Sequence, residues 1–506
     1  MKYLIGIDLG TTEAKCVIYD ENGNSISEAR EEMIISYPGP GQAEQDANDF
    51  YMVACRLIKK TIVDSGISKN QIAALSIDSQ MGGIMTIDKN FNPVTYYDTP
   101  LDSRSAAENE YIHKNFGDLI IEKNGSISTY GNKIIYWKKK NEWQNIFKFI
   151  QPSAFVAGKL TGLKADDAYI DETFICFSGL SDLENGQWSY DLCKKLNVDM
   201  AKLPRIIKSS EIIGEVTKKG SEDSGLPTGL PVAAGCGDQS AGFIGAGIIR
   251  KGQLVDVSGT ACILGVCTDE YKYDLKHKTL ACMKSAIGSH FHLISVVLAG
   301  RTHKWFVDEF FSDEIETAKE NNMNIYDYLD GLAAKIIPGS DGLISIDYLQ
   351  GRFFPPDPNV RGLFIGHTWA HKKIHFYRSI LESIAYDHYL TKEIIKELVP
   401  EINLKSVTAI GSGNKSNFWL QLKSDILQVP YRNLFRSDLS TLGSAILAGY
   451  SVGLFKDLGK IVKNFAKTNV EVVPIPGADK KYLKFINIYQ SLFETLKTVY
   501  KNISVE

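Results

Sequence analysis

Several features that would assign this chain to other protein classes are missing from its 506 residues. No apolar run approaches the roughly 18 residues that a transmembrane helix needs. The short apolar stretch at the N-terminus runs straight into Asp8, which is unlike a signal peptide. The Walker sequence G-x-x-x-x-G-K-[ST] does not occur. We therefore expect neither a membrane protein nor a P-loop fold.

Cysteine pairs and surplus positive charge are also lacking. The eight cysteines form no C-x-x-C pair and mostly sit among apolar residues, which indicates reduced thiols in a cytoplasmic protein rather than a disulfide frame or zinc site. The net charge of −4 supplies no basic surface in bulk. A nucleic acid or an anionic membrane is therefore not expected as a partner. The sequence leaves open whether the chain forms a homodimer.

What the sequence does contain is an alternation of strand and helix patterns. The apolar segments 3–7 and 14–19 flank the polar turn Gly10-Thr11-Thr12 and read as two strands. Residues 47–65 have apolar positions at helical spacing, and further strands are indicated at 72–78 and 84–88. Strands followed by amphipathic helices predict an α/β fold.

The strand–turn–strand pattern occurs twice, about half a chain apart. The segment VDVSGTACILGV, which contains Asp256, has the design of IDLGTTEAKCVI: an Asp near a strand end, a Gly-Thr turn and a returning strand. We therefore predict two related domains with a boundary near residues 246–254. Helices are predicted in the C-terminal third at 375–397, 418–427, 440–453 and 479–500.

The first candidate site is Asp8-Leu9-Gly10-Thr11-Thr12. Glycine lets the backbone approach a ligand, and successive amides with Thr hydroxyls can cradle phosphate oxygens. A strand-end Asp suits a Mg²⁺ ion that keeps most of its waters. A plain hairpin turn is the alternative.

The second site surrounds Asp238, which follows Gly235-Cys236-Gly237 at the start of a helix of small residues. An N-cap is the alternative reading, because Asp fills that position well. The crowding of glycine and alanine favours a ligand instead, and Gln239 adds a second polar group beside the carboxylate.

The third site is Gly411-Ser412-Gly413-Asn414, where a strand meets a glycine turn and a helix, a common nucleotide-binding arrangement that is weak evidence alone. Together the three sites supply two phosphate-facing hairpins, a nucleotide loop and an isolated carboxylate. Phosphoryl transfer to a hydroxyl needs such a set: positioning, a metal and one base.

The order of these motifs resembles the FGGY carbohydrate kinases, and the resemblance covers nearly the whole chain. Its further segments here are SQMGG at 79–83, LDSR at 101–104, SGTA at 258–261, PPDPNVRG at 355–362 and GSGNKSNFWLQLKSDIL from Gly411. The resemblance implies an α/β fold of two ribonuclease H-like, actin-like ATPase domains with a cleft between them. Residues 1–248 would carry the sugar site and the base, and residues 249–506 would bind the nucleotide.

The resemblance also implies a role for individual residues, with ATP and Mg²⁺ as cofactors and a small sugar as substrate. Asp238 would be the catalytic base, and Asp8 would position the metal. The sugar would contact Gln80, Met81, Gly82, Asp102, Arg104, Asp238 and Gln239. The nucleotide would lie near Gly10, Thr11, Thr12, Lys15, Gly259, Thr260, Gly300, Gly411, Gly413 and Asn414.

Departures from the family pattern leave the substrate open. Xylulokinase-like members carry histidine where this chain has Gly82, and tryptophan where it has Pro100. The motif set is most similar to the xylulokinase branch, so a pentulose or its polyol is expected. A kinase for glycerol, a tetritol or an aldonate remains an alternative, as do an actin-like or chaperone-type ATPase without a sugar acceptor and a silent sugar sensor.

Overall fold

A computed structural model describes residues 1–503 of the chain apart from residues 128, 260 and 298. The strands and helices of the first half are β1 Tyr3–Leu9, β2 Glu13–Asp20, β3 Ser25–Glu32, β4 Glu44–Gln45, α1 Ala47–Ser65, β5 Ile72–Ser79, β6 Met85–Ile87, β7 Tyr97–Asp98, α2 Ala106–Asn124, α3 Gly131–Trp137, β8 Lys148–Ile150, α4 Pro152–Thr161, β9 Tyr169–Asp171, β10 Ser181–Asp182, β11 Gln187–Trp188, α5 Tyr190–Lys195, β12 Arg205–Ile207, β13 Ile212–Glu215, α6 Lys218–Ser224, β14 Pro231–Ala233, β15 Cys236–Gly237 and α7 Asp238–Gly245.

The second half continues the alternation with longer helices. Its elements are β16 Leu254–Ser258, β17 Cys262–Thr268, β18 Ala281–Lys284, β19 Phe291–Val297, α8 Ala299–Phe310, α9 Ser312–Glu320, α10 Ile325–Ala333, β20 Ile344–Ile346, β21 Leu363–Ile365, α11 Lys373–Leu398, β22 Val407–Ile410, α12 Asn417–Leu427, β23 Tyr431–Leu434, α13 Leu439–Ser451, α14 Leu458–Phe465, β24 Thr468–Val472, α15 Leu483–Thr495 and α16 Lys497–Ile503.

Each half contains one large mixed sheet, and the two sheets share a strand plan. In the first, the order is β13-β14-β5-β1-β2-β3, with β15 also paired to β5. In the second, the order is β18-β19-β17-β16-β22-β23-β24. In both, an antiparallel hairpin opens the half and its first strand takes a parallel partner, β5 or β22, on the other side. The predicted internal repeat is confirmed.

Hydrophobic patterning accounts for most of the predicted elements. Helix α1 coincides with the predicted range 47–65 and buries Phe50, Ala54 and Ile58 on one face. It ends at Gly66, whose positive φ of 64° favours glycine. The predicted final helix at 479–500 is wrong in one respect, because the chain forms a 3₁₀ turn first and then two helices that meet at Leu496.

Helix α13 belongs to the second half of the sequence but packs on the first sheet. It lies against β1 and α7, where the approach is close because both sides carry glycine. A methyl group on Gly6 would lie 1.8 Å from the carbonyl oxygen of Thr441, and one on Gly443 would lie 1.8 Å from that of Ala241. The division of the chain at residues 248 and 249 stays a prediction, and α13 crosses it in space.

No helix in residues 1–503, with positions 128, 260 and 298 set aside, has the length and apolar character needed to cross a bilayer.

Candidate active site

Three carboxyl groups meet at one end of the first sheet. Asp8 in β1 pairs in register with Asp78 in the parallel strand β5, and Asp78 pairs with Cys236 in the parallel strand β15. Asp238 follows β15 directly as the first residue of α7. Because parallel strands bring their carboxyl ends to the same edge, the strand order itself assembles this cluster.

Asp78 is the most enclosed of the three. Its side chain is fully buried, and its Oδ2 accepts a hydrogen bond of 2.5 Å from the Ser444 hydroxyl of α13. Burial, followed by the charge of Asp8, raises the pKa of the Asp78 carboxyl well above its usual range. Asp78 is therefore the protonated member of the pair with Asp8 at neutral pH.

Asp8 keeps one oxygen available. Its Oδ1 is buried and has no hydrogen-bond partner among the described residues. Burial raises the pKa of Asp8 to about 6, although the hydrogen bond with Asp78 opposes the rise. At neutral pH the group is an anion with an unsatisfied oxygen, which suits a cation or a water molecule bound to a cation.

Asp238 is not the N-cap of α7, since Gly237 takes that position. Oδ1 of Asp238 accepts a hydrogen bond of 2.7 Å from the backbone amide of Gln239. Burial and the charge of Asp8 raise the pKa of Asp238 to about 7. A carboxylate that titrates near neutral pH is a better proton acceptor than an exposed aspartate and remains largely ionised above that pH.

Asp238 lines a cavity of about 530 Å³ to which both halves contribute. Thr11 of the first hairpin turn and Ala261 of the second both reach it. Phe353 and Phe354 of the second half provide an aromatic side of the wall. The cavity therefore brings together the base candidate and both hairpin turns, as the sequence analysis expected.

A small amide network fixes the wall next to the first turn. The Thr11 hydroxyl donates to Oε1 of Gln80 at 2.9 Å, and Nε2 of Gln80 donates to Oε1 of Gln45 at 2.6 Å. Nε2 of Gln45 returns a hydrogen bond of 3.0 Å to the carbonyl oxygen of Thr11. The segment predicted to bind the sugar and the first hairpin turn are thus joined by hydrogen bonds.

Met81 and Gly82 also line the cavity, and the backbone at Gly82 has a φ of 86°. A Cβ at this position would lie 3.5 Å from Cγ of Pro100, so there is space for a side chain. The left-handed backbone conformation nevertheless favours glycine. A histidine at position 82 would be strained by the backbone rather than by its neighbours.

Asp102 lines the cavity, whereas Arg104 is absent from its lining. The Arg104 guanidinium makes ion pairs with Glu44 at 2.5 Å, with Asp98 at 2.6 Å and with Asp102 at 2.9 Å. These three carboxylates would otherwise form a candidate metal cluster. Since Arg104 already neutralises them, it supports the wall through Asp102, and a direct contact with the sugar stays a prediction.

The remaining residues predicted around the first turn surround Asp8. Lys15 lies opposite Asp8 in β2, and its ammonium is 3.2 Å from a carboxylate oxygen of Glu28. Thr12 is exposed, and its carbonyl oxygen accepts the amide of Met33 at 2.9 Å. A Cβ on Gly10 would lie 2.7 Å from the carbonyl oxygen of Glu13, so the tight turn requires glycine there.

The residues predicted around the nucleotide cluster at the second turn. Gly411 has a φ of 90°, and a methyl group on it would lie 2.5 Å from the carbonyl oxygen of Ser258. A methyl group on Gly413 would lie 2.7 Å from the Trp419 ring and 3.1 Å from Cβ of Ser258. The loop after β22 therefore touches the turn that contains Gly259. Gly300 lies in the first turn of α8, and Thr260 lies outside the described residues.

Comparison with known families identifies the chain. The sequence model of the FGGY family of carbohydrate kinases, N-terminal domain, matches residues 3–245, and the C-terminal domain of the same family matches residues 254–452. The chain belongs to the FGGY family of carbohydrate kinases. It is accordingly an ATP-dependent sugar kinase, and the two sheets are the two ribonuclease H-like domains of the actin-like fold.

Individual relatives of this FGGY kinase agree with that assignment. A xylulose kinase from Staphylococcus epidermidis is 28% identical over 501 residues, which are 98% of this chain and 97% of the relative. Among solved structures, a ligand-bound xylulose kinase from Lactobacillus acidophilus has a TM-score of 0.89 at 25% identity and covers both chains completely. A gluconate kinase from the same organism also has a TM-score of 0.89 at 25% identity, covering 99% of this chain and 100% of its own.

Sequence reasoning missed several residues in the cavity of this FGGY kinase. Asn109 and Asn132 both line it, and the side-chain carbonyl oxygen of each is buried without a partner among the described residues. Lys133 also lines it, and neither asparagine stands in a recognisable motif. Their common signal is positional, since helices α2 and α3 place them on the cavity side.

Proposed function

We propose that this FGGY kinase transfers the γ-phosphate of Mg-ATP to a hydroxyl of a pentulose or a related polyol, with Asp238 accepting the proton. The observation that carries the proposal is the position of Asp238, which combines a pKa of about 7 with a place in the wall of the shared cavity. Its carboxylate would orient the attacking hydroxyl and accept its proton as the new O–P bond forms.

A magnesium ion fits the residues beside this base. The unpartnered Oδ1 of Asp8 is anionic at neutral pH and would hold the ion through its water shell. When bound, the ion neutralises charge on the phosphates. The protein's own contribution comes from Asp78, whose raised pKa keeps it uncharged beside Asp8 and whose Oδ2 is held by the Ser444 hydroxyl.

The nucleotide is proposed to lie between the two hairpin turns. Gly10, Thr11 and Thr12 with Lys15 would face the phosphates from the first half, and Gly259 with Thr260 from the second. Gly300, Gly411, Gly413 and Asn414 would form the adenosine side. This arrangement is supported by the contact of the Gly411 loop with Ser258 and by the presence of both turns at the cavity.

The sugar is proposed to lie among Gln80, Met81, Gly82, Asp102 and Gln239, with Asn109 and Asn132 as further acceptors. A pentulose is favoured by the names of the relatives, and gluconate is the competing acceptor. The only cavity-lining ammonium among the described residues is that of Lys133, which donates to the backbone carbonyls of residues 98, 99 and 102. Because these acceptors use its three protons, Lys133 offers none to an aldonate carboxylate.

The cytoplasm remains the proposed location, since all eight cysteines are buried free thiols, which persist in a reducing compartment.

The test is an acceptor screen that measures ADP formation. Turnover would be measured with D-xylulose, D-ribulose, L-ribulose, xylitol, erythritol, glycerol and gluconate, each with and without Mg²⁺. We expect a pentulose or pentitol to have the highest kcat/KM and Mg²⁺ to be required. If glycerol or gluconate exceeds every pentulose by about tenfold, the pentulose proposal is wrong, and ADP release that no acceptor increases would contradict the proposed transfer itself.

A matched pair of variants tests the sugar site. Asn132→Leu replaces the amide, with its unpartnered acceptor and its donor to Ser105, by an apolar side chain with the same number of heavy atoms, and is expected to raise the KM for the sugar while leaving the KM for ATP unchanged. Asn115→Leu, on the exposed side of α2, is the control. Equal sugar KM values in the two variants would place the acceptor elsewhere.

A further inference from the structure

A fully buried lysine lies beneath both loops of the nucleotide side. The Lys423 ammonium in α12 is 2.8 Å from Oδ2 of Asp256 and donates to the Ser258 hydroxyl at 2.8 Å and to Oδ1 of Asn414 at 3.2 Å. It also lies 3.8 Å from the centre of the Trp419 ring. One ammonium therefore contacts two side chains of β16, including Ser258 at the end that leads into the second hairpin turn, and one side chain of the loop after β22.

Asn414 completes the connection between the two loops. Its Nδ2 donates to the carbonyl oxygens of Asp256 at 3.0 Å and Ile410 at 2.6 Å. The backbone carbonyl oxygen of Asn414 accepts a hydrogen bond of 3.1 Å from Nδ2 of Asn433. Because its side-chain amide faces inward, Asn414 links the two loops. Lys423 fixes the orientation of this amide by donating a hydrogen bond to its Oδ1.

Burying the ion pair of Lys423 and Asp256 costs free energy, because both charges lose their hydration. Burial alone would raise the pKa of Asp256, but the Lys423 ammonium, together with His388 and the hydrogen bonds, holds it below its ordinary value. A buried ion pair is weak evidence for stability, because well-packed apolar side chains often serve as well. What apolar side chains cannot supply is a point at which polar side chains of β16 and of the loop after β22 converge.

We propose that Lys423 is a positioning residue for ATP, which sets the second hairpin turn and the Gly411 loop at the spacing that the nucleotide requires. The inference rests on the proposed function, in which these two loops hold the nucleotide. Lys423 does not touch the ligand, since its side chain is fully buried and its donors are used inside the protein. Its loss should therefore weaken ATP binding and spare the sugar site, whose proposed polar contacts all come from the first half.

The experiment compares single and double variants. Lys423→Met alone leaves the Asp256 carboxylate buried without its partner, so this variant is expected to melt well below wild type. Lys423→Met combined with Asp256→Asn removes both charges and should recover most of the melting temperature. In this folded double variant we expect the dissociation constant of ADP, measured by calorimetry, to rise by about tenfold or more, with the sugar dissociation constant within about twofold of wild type.

A control variant separates this proposal from the proposed function. Gly411→Ala leaves Lys423 intact but places a methyl group against Ser258 in a backbone conformation that favours glycine. Loss of ADP affinity in Gly411→Ala together with wild-type affinity in the double variant overturns the role of Lys423 and keeps the nucleotide site. Unchanged ADP affinity in both variants overturns the nucleotide assignment and the inference together. A parallel loss of ADP and sugar affinity in the double variant shows general disorder and also overturns the positioning role.

Discussion

The two hairpins of this kinase share a backbone plan and differ in how their aspartates are compensated. Asp8 and Asp256 stand at corresponding positions of the two repeated sequence segments, each in the strand that has a parallel partner. Asp8 keeps an unpartnered oxygen and a pKa raised to about 6, whereas the pKa of Asp256 is held low by Lys423. The duplicated fold therefore supports two electrostatic states: an uncompensated carboxylate that can work on a ligand, and a neutralised one that braces loops.

The hairpins also differ in where their support comes from. The first is held by the other half of the chain, through Ser444 on Asp78 and through Asp438 on the Tyr19 hydroxyl at 2.7 Å. The second is held from within its own domain by Lys423. Ser444 and Asp438 thus couple the halves, while Lys423 couples only segments of one half.

The largest expected effect concerns the carboxyl cluster beside the first hairpin. Asp238→Ala removes the proton acceptor and is expected to reduce kcat by about 10²–10⁴ while ATP affinity is retained. A coupled ADP assay and calorimetry with a non-hydrolysable ATP analogue measure the two quantities. Turnover within about threefold of wild type would show that Asp238 is not the proton acceptor.

Changing the two equivalent aspartates tests the comparison directly. Asp8→Asn is expected to lower kcat by about 10²-fold or more without lowering the melting temperature, because it removes a charge whose raised pKa shows it to be unfavourable in the fold. Asp256→Asn is expected to destabilise the protein by about 3–5 kcal/mol, because Lys423 loses its partner.

Thermal melts and steady-state kinetics on both variants provide the check. The comparison fails if Asp8→Asn melts many degrees lower with full specific activity, or if Asp256→Asn is as stable as wild type.

The pH dependence should show activity and stability moving in opposite directions. Asp238 must be ionised to accept a proton, so kcat/KM for the sugar should fall about tenfold per pH unit below about pH 7. Its folded pKa is raised, so its contribution to stability is fully present below its unfolded pKa of about 4 and is lost as the pH rises through about 7.

Melting temperatures and kcat/KM measured between pH 5 and pH 8 would test both trends. In Asp238→Asn the stability slope from this group should disappear. Activity that stays constant down to about pH 5 would show that the acid limb belongs to another group.

The smallest effect is expected where the first hairpin meets the second half. Tyr19→Phe removes the hydroxyl that contacts Asp438 and Thr441, at a cost of about 1–3 kcal/mol. Urea unfolding followed by circular dichroism would measure it, with Tyr3→Phe, a partly buried tyrosine at the start of β1, as the control. A loss of activity that the loss of stability does not explain would mean that this contact contributes to catalysis as well as to stability.

The fold was predictable because its signals are local and repeated. The Gly-Thr turns, the strands around them and the glycine-crowded start of α7 each follow from side-chain size and polarity along the chain. Asp8, Asp238 and Gly411 were found for the same reason. The resemblance to the family also pointed to Asp102, which lines the cavity.

Residues whose roles depend on distant partners were not predictable. Arg104 stands in a motif predicted to bind the sugar, yet its charge is neutralised by Glu44 and Asp98, which only the folded chain brings to it. Asn414 stands in a glycine loop, and only its burial shows that its amide faces inward. Lys423 stands in a largely apolar helix. Its role becomes visible only when the fold places Asp256, 167 residues away, beside it.

The position of α13 has a consequence for how the polypeptide matures during translation. The first sheet is covered on one face by residues 439–451, and Asp78 has its hydroxyl partner there. Until the ribosome has released most of the chain, the nascent first half carries an open apolar surface and a lone carboxyl inside it. Expression of residues 1–248 alone would leave that surface permanently exposed and prone to aggregation, and adding a peptide of residues 436–453 should restore solubility to such a fragment.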